Sequence, residues 1–248
     1  MKINGSAAKT SFYLKRGFKN TPNWKLKFIF KCLSTEYVLN NYLDKYHLKA
    51  DQPVAIFSKM QTKSFGQYGR KWNSPEGGIW FSTAYPIFSK EFSSEVFSIS
   101  IASKICEMFL SASIKTKIKW PNDIFYGSKK LIGFLPKVIT RGDEIVYVRI
   151  GLGMNLNNMA PREGISLCQI LGKKNLCINY WSSKLLQIIF LAIKENHDKS
   201  KIISKANMFL DKKQIPREYE SEGWSIKNID RNGNLLIYKN DIEKVLRL

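Results

Sequence analysis

Hydrophobic and polar positions along this chain switch between two periods, and the switches divide it into elements. Lys27-Phe-Ile-Phe-Lys-Cys32 is a short apolar run bounded by lysines and predicts a strand. At Ser34-Thr35-Glu36 the pattern turns helical: Ser34 or Thr35 can cap, and Tyr37, Val38, Tyr42 and Leu43 form an apolar stripe. Pro53 to Ser58 and Gly78 to Ala84 predict two further strands, the second entered through a Ser-Pro-Glu-Gly-Gly turn. Residues 93–112 set Val96, Ile99, Ile101, Ile105, Met108 and Phe109 at mostly helical spacing, a core-facing helix. Ile114 to Trp120 predicts a strand closed by Pro121-Asn122-Asp123, and Tyr126-Gly-Ser-Lys129 a hairpin turn. Lys130 to Thr140 and Glu144 to Leu152 continue the sheet around Arg141-Gly-Asp143, and Gly151 to Asn157 predicts a glycine-rich bend ending the last strand. Trp181 to Glu195 and residues 200–210 predict helices. From Glu222 the texture becomes all-β: a hairpin over 224–238 around Asn232-Gly233, then a strand over 242–248.

The order is strands mixed with helices, then strands alone. This predicts an α+β fold, a mixed β-sheet with packed helices plus a small C-terminal barrel. Three segments follow: a basic arm of weak periodicity over 1–26, a main domain over 27–210 and a small β domain over 211–248. Neither an internal repeat nor a low-complexity stretch interrupts them.

Composition changes this picture little. The 248 residues are 44% hydrophobic and 13% aromatic, enough for a sizeable core. Charge changes it more: 40 Lys plus Arg against 20 Asp plus Glu give a net +20, which favours anionic partners such as nucleotides, nucleic acid, acidic protein surfaces or lipid headgroups. Cys32, Cys106, Cys168 and Cys177 have no metal-ligand spacing, so a reducing cytoplasm is the expected compartment. No apolar run reaches the length of a membrane span. The two histidines, His47 and His197, lie in polar surroundings, which argues against a histidine triad or a histidine metal site.

Three segments carry chemistry. Gln61-Thr-Lys-Ser-Phe-Gly-Gln-Tyr-Gly-Arg-Lys-Trp72 is a glycine loop with Lys63, Arg70 and Lys71 as cations and Trp72 as anchor; Gly66 and Gly69 can turn backbone N–H groups toward an anion. Lys119-Trp-Pro-Asn122-Asp123 puts a carboxylate at a strand end, where Asp123 could hold Mg²⁺ or orient an amine. Lys130 opens the apolar strand Leu131-Ile-Gly-Phe-Leu135, where it can clamp a carboxylate and a phosphate oxygen at once, and Gly133 would let a ligand ring or another backbone approach closely. Taken singly, each segment also reads as an ordinary surface turn, Asx turn or snorkelling lysine.

In their order and spacing the segments resemble the biotin protein ligase family. That family carries S-T-N at the first helix, Q-[TS]-x-G-[RK]-G-[RQ]-x-G-R-x-W, K-W-P-N-D, K-[LIV]-x-G-[IF]-L and G-x-G-x-N. Here these stand as Ser34-Thr35-Glu36, Gln61 to Trp72, Lys119 to Asp123, Lys130 to Leu135 and Gly151 to Asn155, over roughly residues 27–160. The resemblance implies a class II synthetase-like sheet with an SH3-like cap. It implies formation of biotinyl-5′-AMP from biotin and ATP, then transfer of biotin to a lysine of a biotin carboxyl carrier protein, a subunit of acetyl-CoA carboxylase. It further implies a biotin site of Ser34, Thr35, Gln61, Gly66, Gln67 and Lys130, and an ATP site of Arg70, Lys71, Trp72, Asn122 and Asn155. Lys130, Asp123 and Arg70 would act on the reacting groups. Mg²⁺ would arrive on ATP, with Asp123 the candidate protein ligand.

The departures are specific. Glu36 replaces the asparagine of S-T-N and adds negative charge near a pocket for an anion. Ser64-Phe65-Gly66-Gln67 stands where G-[RK]-G-[RQ] is usual, so Phe65 replaces a cation, and Lys137 takes the place of a usual acid. No winged-helix pattern precedes residue 27, so a ligase that does not bind DNA or membrane is expected, as monomer or homodimer. Three rival readings remain: a lipoate or octanoate ligase of the same fold, a basic nucleic-acid-binding protein, and a degenerate, non-catalytic ligase homologue.

Overall fold

In the computed structural model of the chain, residues 5–49, 52–88 and 92–247 are described. Residues 1–4 of the expected arm and Leu248 of the expected last strand lie outside them. In chain order the first elements are α1 (Ala7–Gly17), β1 (Lys25–Cys32), α2 (Thr35–Leu43), β2 (Val54–Gln61), β3 (Ile79–Pro86) and α3 (Phe97–Ser111). Next come β4 (Lys117–Lys119), β5 (Asp123–Tyr126), β6 (Lys129–Arg141), β7 (Glu144–Met154), α4 (Leu167–Leu171) and α5 (Ile178–Lys194). The chain closes with α6 (Lys199–Phe209), α7 (Arg217–Glu220), β8 (Ser225–Ile229), β9 (Leu235–Lys239) and β10 (Ile242–Leu246). They group into two units, one within residues 1–90 and 129–190, the other within 91–128 and 191–248.

In the first unit, five strands run side by side in the order β1-β2-β3-β7-β6. β1 is parallel to β2, with Phe28 beside Phe57, and the remaining pairs are antiparallel. The mixed sheet follows from α2, which returns the chain from β1 to start β2 in the same direction. Val54 to Phe57 and Ile79 to Ala84 are buried without a break, so β2 and β3 have no solvent face and read as continuous apolar runs. One face is filled by Phe28, Phe57 and Phe81, the first two stacked at 4.5 Å and nearly parallel. On the other face α2 sets Leu39 against Val54, Ile56 and Ala84. Full burial of a leucine such as Leu39 stabilises the fold by about 1.5–3 kcal/mol. Strand β1 lies at the sheet's edge, where exposed Lys25, Lys27 and Lys31 blunt it against stray pairing.

The second unit packs α3 against α6 and carries the β4–β5 hairpin and the three-stranded antiparallel sheet β10-β9-β8. Its β8–β9 turn is set by Asp230, whose Oδ1 accepts from the N–H groups of Asn232 (2.8 Å) and Asn234 (2.9 Å), and by Gly233 at φ 84°. Asn207 of α6 holds β8 by both amide atoms, accepting from Ile229 N at 2.8 Å and donating to Ile229 O at 2.9 Å.

Three sequence expectations need correction. The arm over 1–26, expected to be irregular, contains α1. Its apolar signal is weak because it docks through Leu14, Thr10 and the amide of Asn179, which accepts from Ser6 N at 2.7 Å and Thr10 Oγ1 at 3.1 Å. Glycines at 151 and 153 do not end a strand: β7 runs on to Met154, its N–H and C=O groups paired on both sides by β3 and β6. The short helices α4 and α7 are additional; α4, opened by a capping box between Ser166 and Gln169, is too brief to show periodicity.

Candidate active site

The first helix starts the site. Ser34 caps α2, accepting from Glu36 N at 3.2 Å, and this fixes Thr35 beside the end of β2. The Gln61 carbonyl oxygen accepts from Thr35 N at 2.7 Å and from Thr35 Oγ1 at 3.1 Å. Thr35 Oγ1 also meets Ser82 Oγ at 2.8 Å, Gln61 Nε2 donates to Ser74 Oγ at 3.0 Å, and Ser74 Oγ meets Ser64 Oγ at 2.8 Å. Ser64 Oγ in turn donates to Trp72 O at 2.7 Å. Each hydroxyl has one proton, so the chain has one direction. Ser64 donates to Trp72 O, hence Ser74 donates to Ser64; Thr35 donates to Gln61, hence Ser82 donates to Thr35. Any further bond made by the Gln61 amide nitrogen is therefore as a donor, since its oxygen already accepts twice.

The loop after β2 is a hairpin. Gln61 bridges Ser74, Phe65 bridges Lys71, and Trp72 N donates to Ser64 O at 3.1 Å. At its tip a single 3₁₀ turn, Gln67–Gly69, holds Tyr68 left-handed at φ 56°, with Gly69 at φ 70°. The Gly66 N–H donates to Arg70 O at 2.6 Å, so it closes the hairpin rather than standing open toward an anion. Gln67, Arg70 and Lys71 are exposed, and the Arg70 guanidinium lies 5.6 Å from the Tyr68 ring centroid. Phe65, where the family carries a cation, packs 6.0 Å from Tyr37 of α2.

Beneath the hairpin lies a floor of glycine. Gly133 of β6 and Gly153 of β7 are directly paired. A Cβ at 133 would stand 2.8 Å from Lys130 Cε and 2.9 Å from the Trp72 ring; one at 153 would stand 2.7 Å from Trp72 Nε1. The indole therefore lies flat on the sheet because two facing positions lack side chains. Lys130 Nζ sits 4.7 Å from the centroid of the same ring, and Trp80 meets it edge-on at 6.4 Å. One step along β7, a Cβ at Gly151 would stand 3.2 Å from Glu36 Oε1. Glu36 does not leave the pocket with a bare negative charge: Arg149, on the same face of β7, donates to its Oε2 at 2.5 Å.

The backbone of Lys130 is strapped from the far side. Its N–H donates to Glu163 O and its carbonyl accepts from Ile165 N, both at 3.0 Å. Asn155 joins strap to strand: its N–H donates to Leu131 O at 3.0 Å, its Nδ2 to Lys130 O at 3.4 Å, and its Oδ1 accepts from Asn158 Nδ2 at 2.8 Å. Ser34, Thr35, Gln61, Gly66, Gln67, Arg70, Lys71, Trp72, Lys130 and Asn155 thus all belong to the first unit. Asn122 and Asp123 belong to the second. There Asp123 opens β5 opposite Lys119, Asn122 is buried, and Ser98 Oγ donates to Pro121 O at 2.8 Å beside a cis Trp120–Pro121 bond. Sequence reasoning missed Ser64, Ser74, Ser82, Arg149 and Asn158. Serines carry no signal until strand pairing shows what they face.

A family model described as the biotin/lipoate A/B protein ligase family matches residues 31–155, just over half of the chain. The bifunctional ligase/repressor BirA of Bacillus subtilis is 31% identical over 134 residues, covering 50% of this chain and 41% of that protein. The human biotin–protein ligase is 26% identical over 163 residues, covering 59% of this chain and 22% of that one. The matched stretch thus spans well under half the length of these curated relatives. Among solved structures, the biotin protein ligase of Aquifex aeolicus in complex with biotin and ATP has a TM-score of 0.69 at 23% identity, covering 93% of this chain and 97% of that one. The Leishmania major biotin protein ligase in complex with biotinyl-5-AMP has a TM-score of 0.62 at 20% identity, covering 92% and 100%. These two share the fold, a mixed sheet with packed helices and a small C-terminal β sheet. With the motifs of β2, β6 and β7 meeting on one glycine floor inside the matched stretch, the chain belongs to the biotin/lipoate A/B protein ligase family.

Proposed function

We propose that this protein is an ATP-dependent biotin protein ligase, with a catalytic domain over 27–210 and a small β domain over 211–248. The observation that carries the reading is the glycine floor with Lys130 and Trp72 at one end and the Thr35–Gln61 network at the other. An acid with a polar head fits that polarity: head against Thr35 and Gln61, chain along Trp72, carboxylate against the Lys130 ammonium. In the first step a biotin carboxylate oxygen bonds to the α-phosphorus of ATP while the bond to pyrophosphate breaks. Lys130 neutralises the carboxylate and the α-phosphate together, so two anions can meet. Arg70 and Lys71 on the hairpin meet the phosphates, while Gln67 and Gly66 cover the acyl chain. Asn122 and Asn155 serve the nucleotide side. In the second step the carrier lysine amine attacks the acyl carbon, AMP leaves, and Asp123 orients that amine or takes its proton.

Among the described residues no cluster of three His, Cys, Asp or Glu side chains is suited to a metal. Mg²⁺ would therefore be held chiefly by the triphosphate, with Asp123 as candidate protein ligand, and would add positive charge at the phosphates. The partner is a biotin carboxyl carrier domain, docked by strand addition at an exposed sheet edge, in the cytoplasm. None of the helices among the described residues is long and apolar enough to cross a membrane.

The deciding experiment incubates the protein with ATP, Mg²⁺, a purified carboxylase carrier domain and either biotin or lipoate, and weighs the carrier by mass spectrometry. A gain of one biotinyl group supports the reading. A lipoyl gain alone moves the protein to the lipoate branch of the family, and no gain with either acid overturns it.

A further inference from the structure

Arg149, Gly151 and Gly153 follow one another on one face of β7, and the Glu36 carboxylate lies over the middle position. Its side chain and that of Arg149 are 14% and 12% exposed. The pair is single-stranded: Arg149 Nη2 reaches Glu36 Oε2, but neither Arg149 Nε nor Glu36 Oε1 has a hydrogen-bond partner, and both atoms are buried. A side-on fork would satisfy both at once. Instead Oε1 faces the Gly151 floor, where the missing Cβ leaves it room. Structural ion pairs inside proteins usually satisfy their lone pairs, so an acceptor left buried and aimed at the substrate floor needs another explanation.

We propose that Glu36 is a specificity-determining residue, its Oε1 accepting a hydrogen bond from an N–H of the substrate head group, so that the site selects a cyclic urea acid over a dithiolane acid. The inference rests on the ligase reading above and deepens it. Gln61 adjoins Thr35, and its oxygen already accepts twice, so toward a ligand it offers only N–H. Through Thr35, the residue before Glu36, the head-group end offers a donor amide and an acceptor carboxylate from neighbouring positions. A cyclic urea is the complement, with one carbonyl acceptor and two N–H donors. A dithiolane has neither, and would leave Oε1 desolvated and unpaired, the situation in which discrimination is steepest. The spacing also fits. Glu36 lies over Gly151 and Trp72 over Gly153, two residues and roughly 7 Å apart along the strand. Lys130 stands against the Trp72 ring and borders Gly133, whereas Glu36 borders Gly151, so the two ends of a head-and-tail acid would meet different parts of the floor. Arg149 cancels the carboxylate charge, which removes the repulsion that Glu36 would otherwise exert on an anionic substrate.

Titration calorimetry of the full chain with biotin, with biotin methylated on its ureido nitrogens, and with lipoate tests this. The proteins are wild type, Glu36→Gln, Glu36→Ala and the charge-free pair Glu36→Leu/Arg149→Leu. Wild type should prefer biotin to lipoate, and Glu36→Ala should weaken biotin by about ten- to a hundredfold while leaving lipoate unchanged. Glu36→Gln, whose amide oxygen still accepts, should recover most of that loss. Ureido methylation should weaken binding to wild type but not further to Glu36→Ala or to the charge-free pair. That comparison reads the contact even where a single variant folds less well. Glu36→Ala binding biotin within about threefold of wild type, or methylation costing every variant equally, would overturn the proposal while leaving the ligase reading intact. Wild type binding neither acid, with no adenylate formed from either, would overturn both.

Discussion

Lys130 and Trp72 meet over two glycines, and each of the four positions depends on the others. The ammonium rests 4.7 Å from the indole centroid, and the indole rests where residues 133 and 153 have no side chain. On the proposed reading, Lys130→Ala should leave the sheet intact and remove the cation assigned to bridge carboxylate and phosphate. Adenylation, followed by pyrophosphate release, should fall by about 10²–10³-fold with little change in melting temperature. A loss smaller than tenfold would mean the charge is supplied elsewhere. Gly153→Ala acts differently. Its methyl would stand 2.7 Å from Trp72 Nε1, so the ring must lift. Overpacking of this kind costs about 1–3 kcal/mol, to be read from urea unfolding, and should shift the tryptophan emission of the native protein. At this scale the sequence made some parts legible and hid others. Lys130 and Gly133 were legible because a lysine opening an apolar strand with a glycine inside it is already odd. Glu36 was legible as a departure, but its partner was not: Arg149 lies 113 residues away and reaches it only because β7 returns beside β3. Ser74 and Ser82 were invisible for the same reason.

Among the elements, the segment after β2 departs most from expectation. Two glycines and three cations predict an open, phosphate-cradling loop; the structure closes it as a hairpin through the Gln61–Ser74 and Phe65–Lys71 bridges, with Phe65 turned to Tyr37. The cause is local: serines at 64 and 74 supply side-chain bonds across its base, and an aromatic at 65 gives it something apolar to touch. Periodicity identified β1, β2, β3, α3 and α6, whose apolar positions face one core each. It failed for α1, whose contacts are partly polar, and it ended β7 at Leu152 rather than Met154, because glycines that form a floor looked like an ending. Helix α3 offers a clean probe of the second unit. Cys106 on it is wholly buried, and desolvation pushes its thiol up to about 12, against a weaker opposing bond to Thr116. At pH 8 its thiolate fraction is on the order of one in ten thousand, so alkylation of the native protein should spare Cys106. It should react only as α3 unpacks from α6, and its labelling by mass spectrometry against urea should track the loss of helical circular dichroism. Labelling of Cys106 in the native state at the rate of an exposed thiol would show that α3 opens locally.

Over the whole molecule the dominant quantity is charge. A net +20 on 248 residues is a field no single ion pair accounts for, and exposed lysines at the β1 edge and on the hairpin keep part of it in solvent. Such a field acts on an approaching partner over distances set by screening, about 10 Å at 0.1 M salt, whereas contacts inside the glycine floor are short and shielded. The two half-reactions of a ligase should therefore respond to salt differently. In the proposed reaction adenylation would join small anions to Lys130 at contact range, although free ATP is itself screened. Transfer requires a folded carrier to find the site, and its rate of encounter carries the long-range term. Raising KCl from roughly 0.05 to 0.5 M should lower kcat/KM for an acidic carrier domain by at least about tenfold, chiefly through KM. Adenylate formation, measured alone by pyrophosphate release, should fall by less. A carrier engineered to neutral surface charge should lose most of this salt dependence. If transfer and adenylation decline together, the charge serves ATP rather than the carrier; if neither declines, the lysines are a compositional trait with no part in recognition.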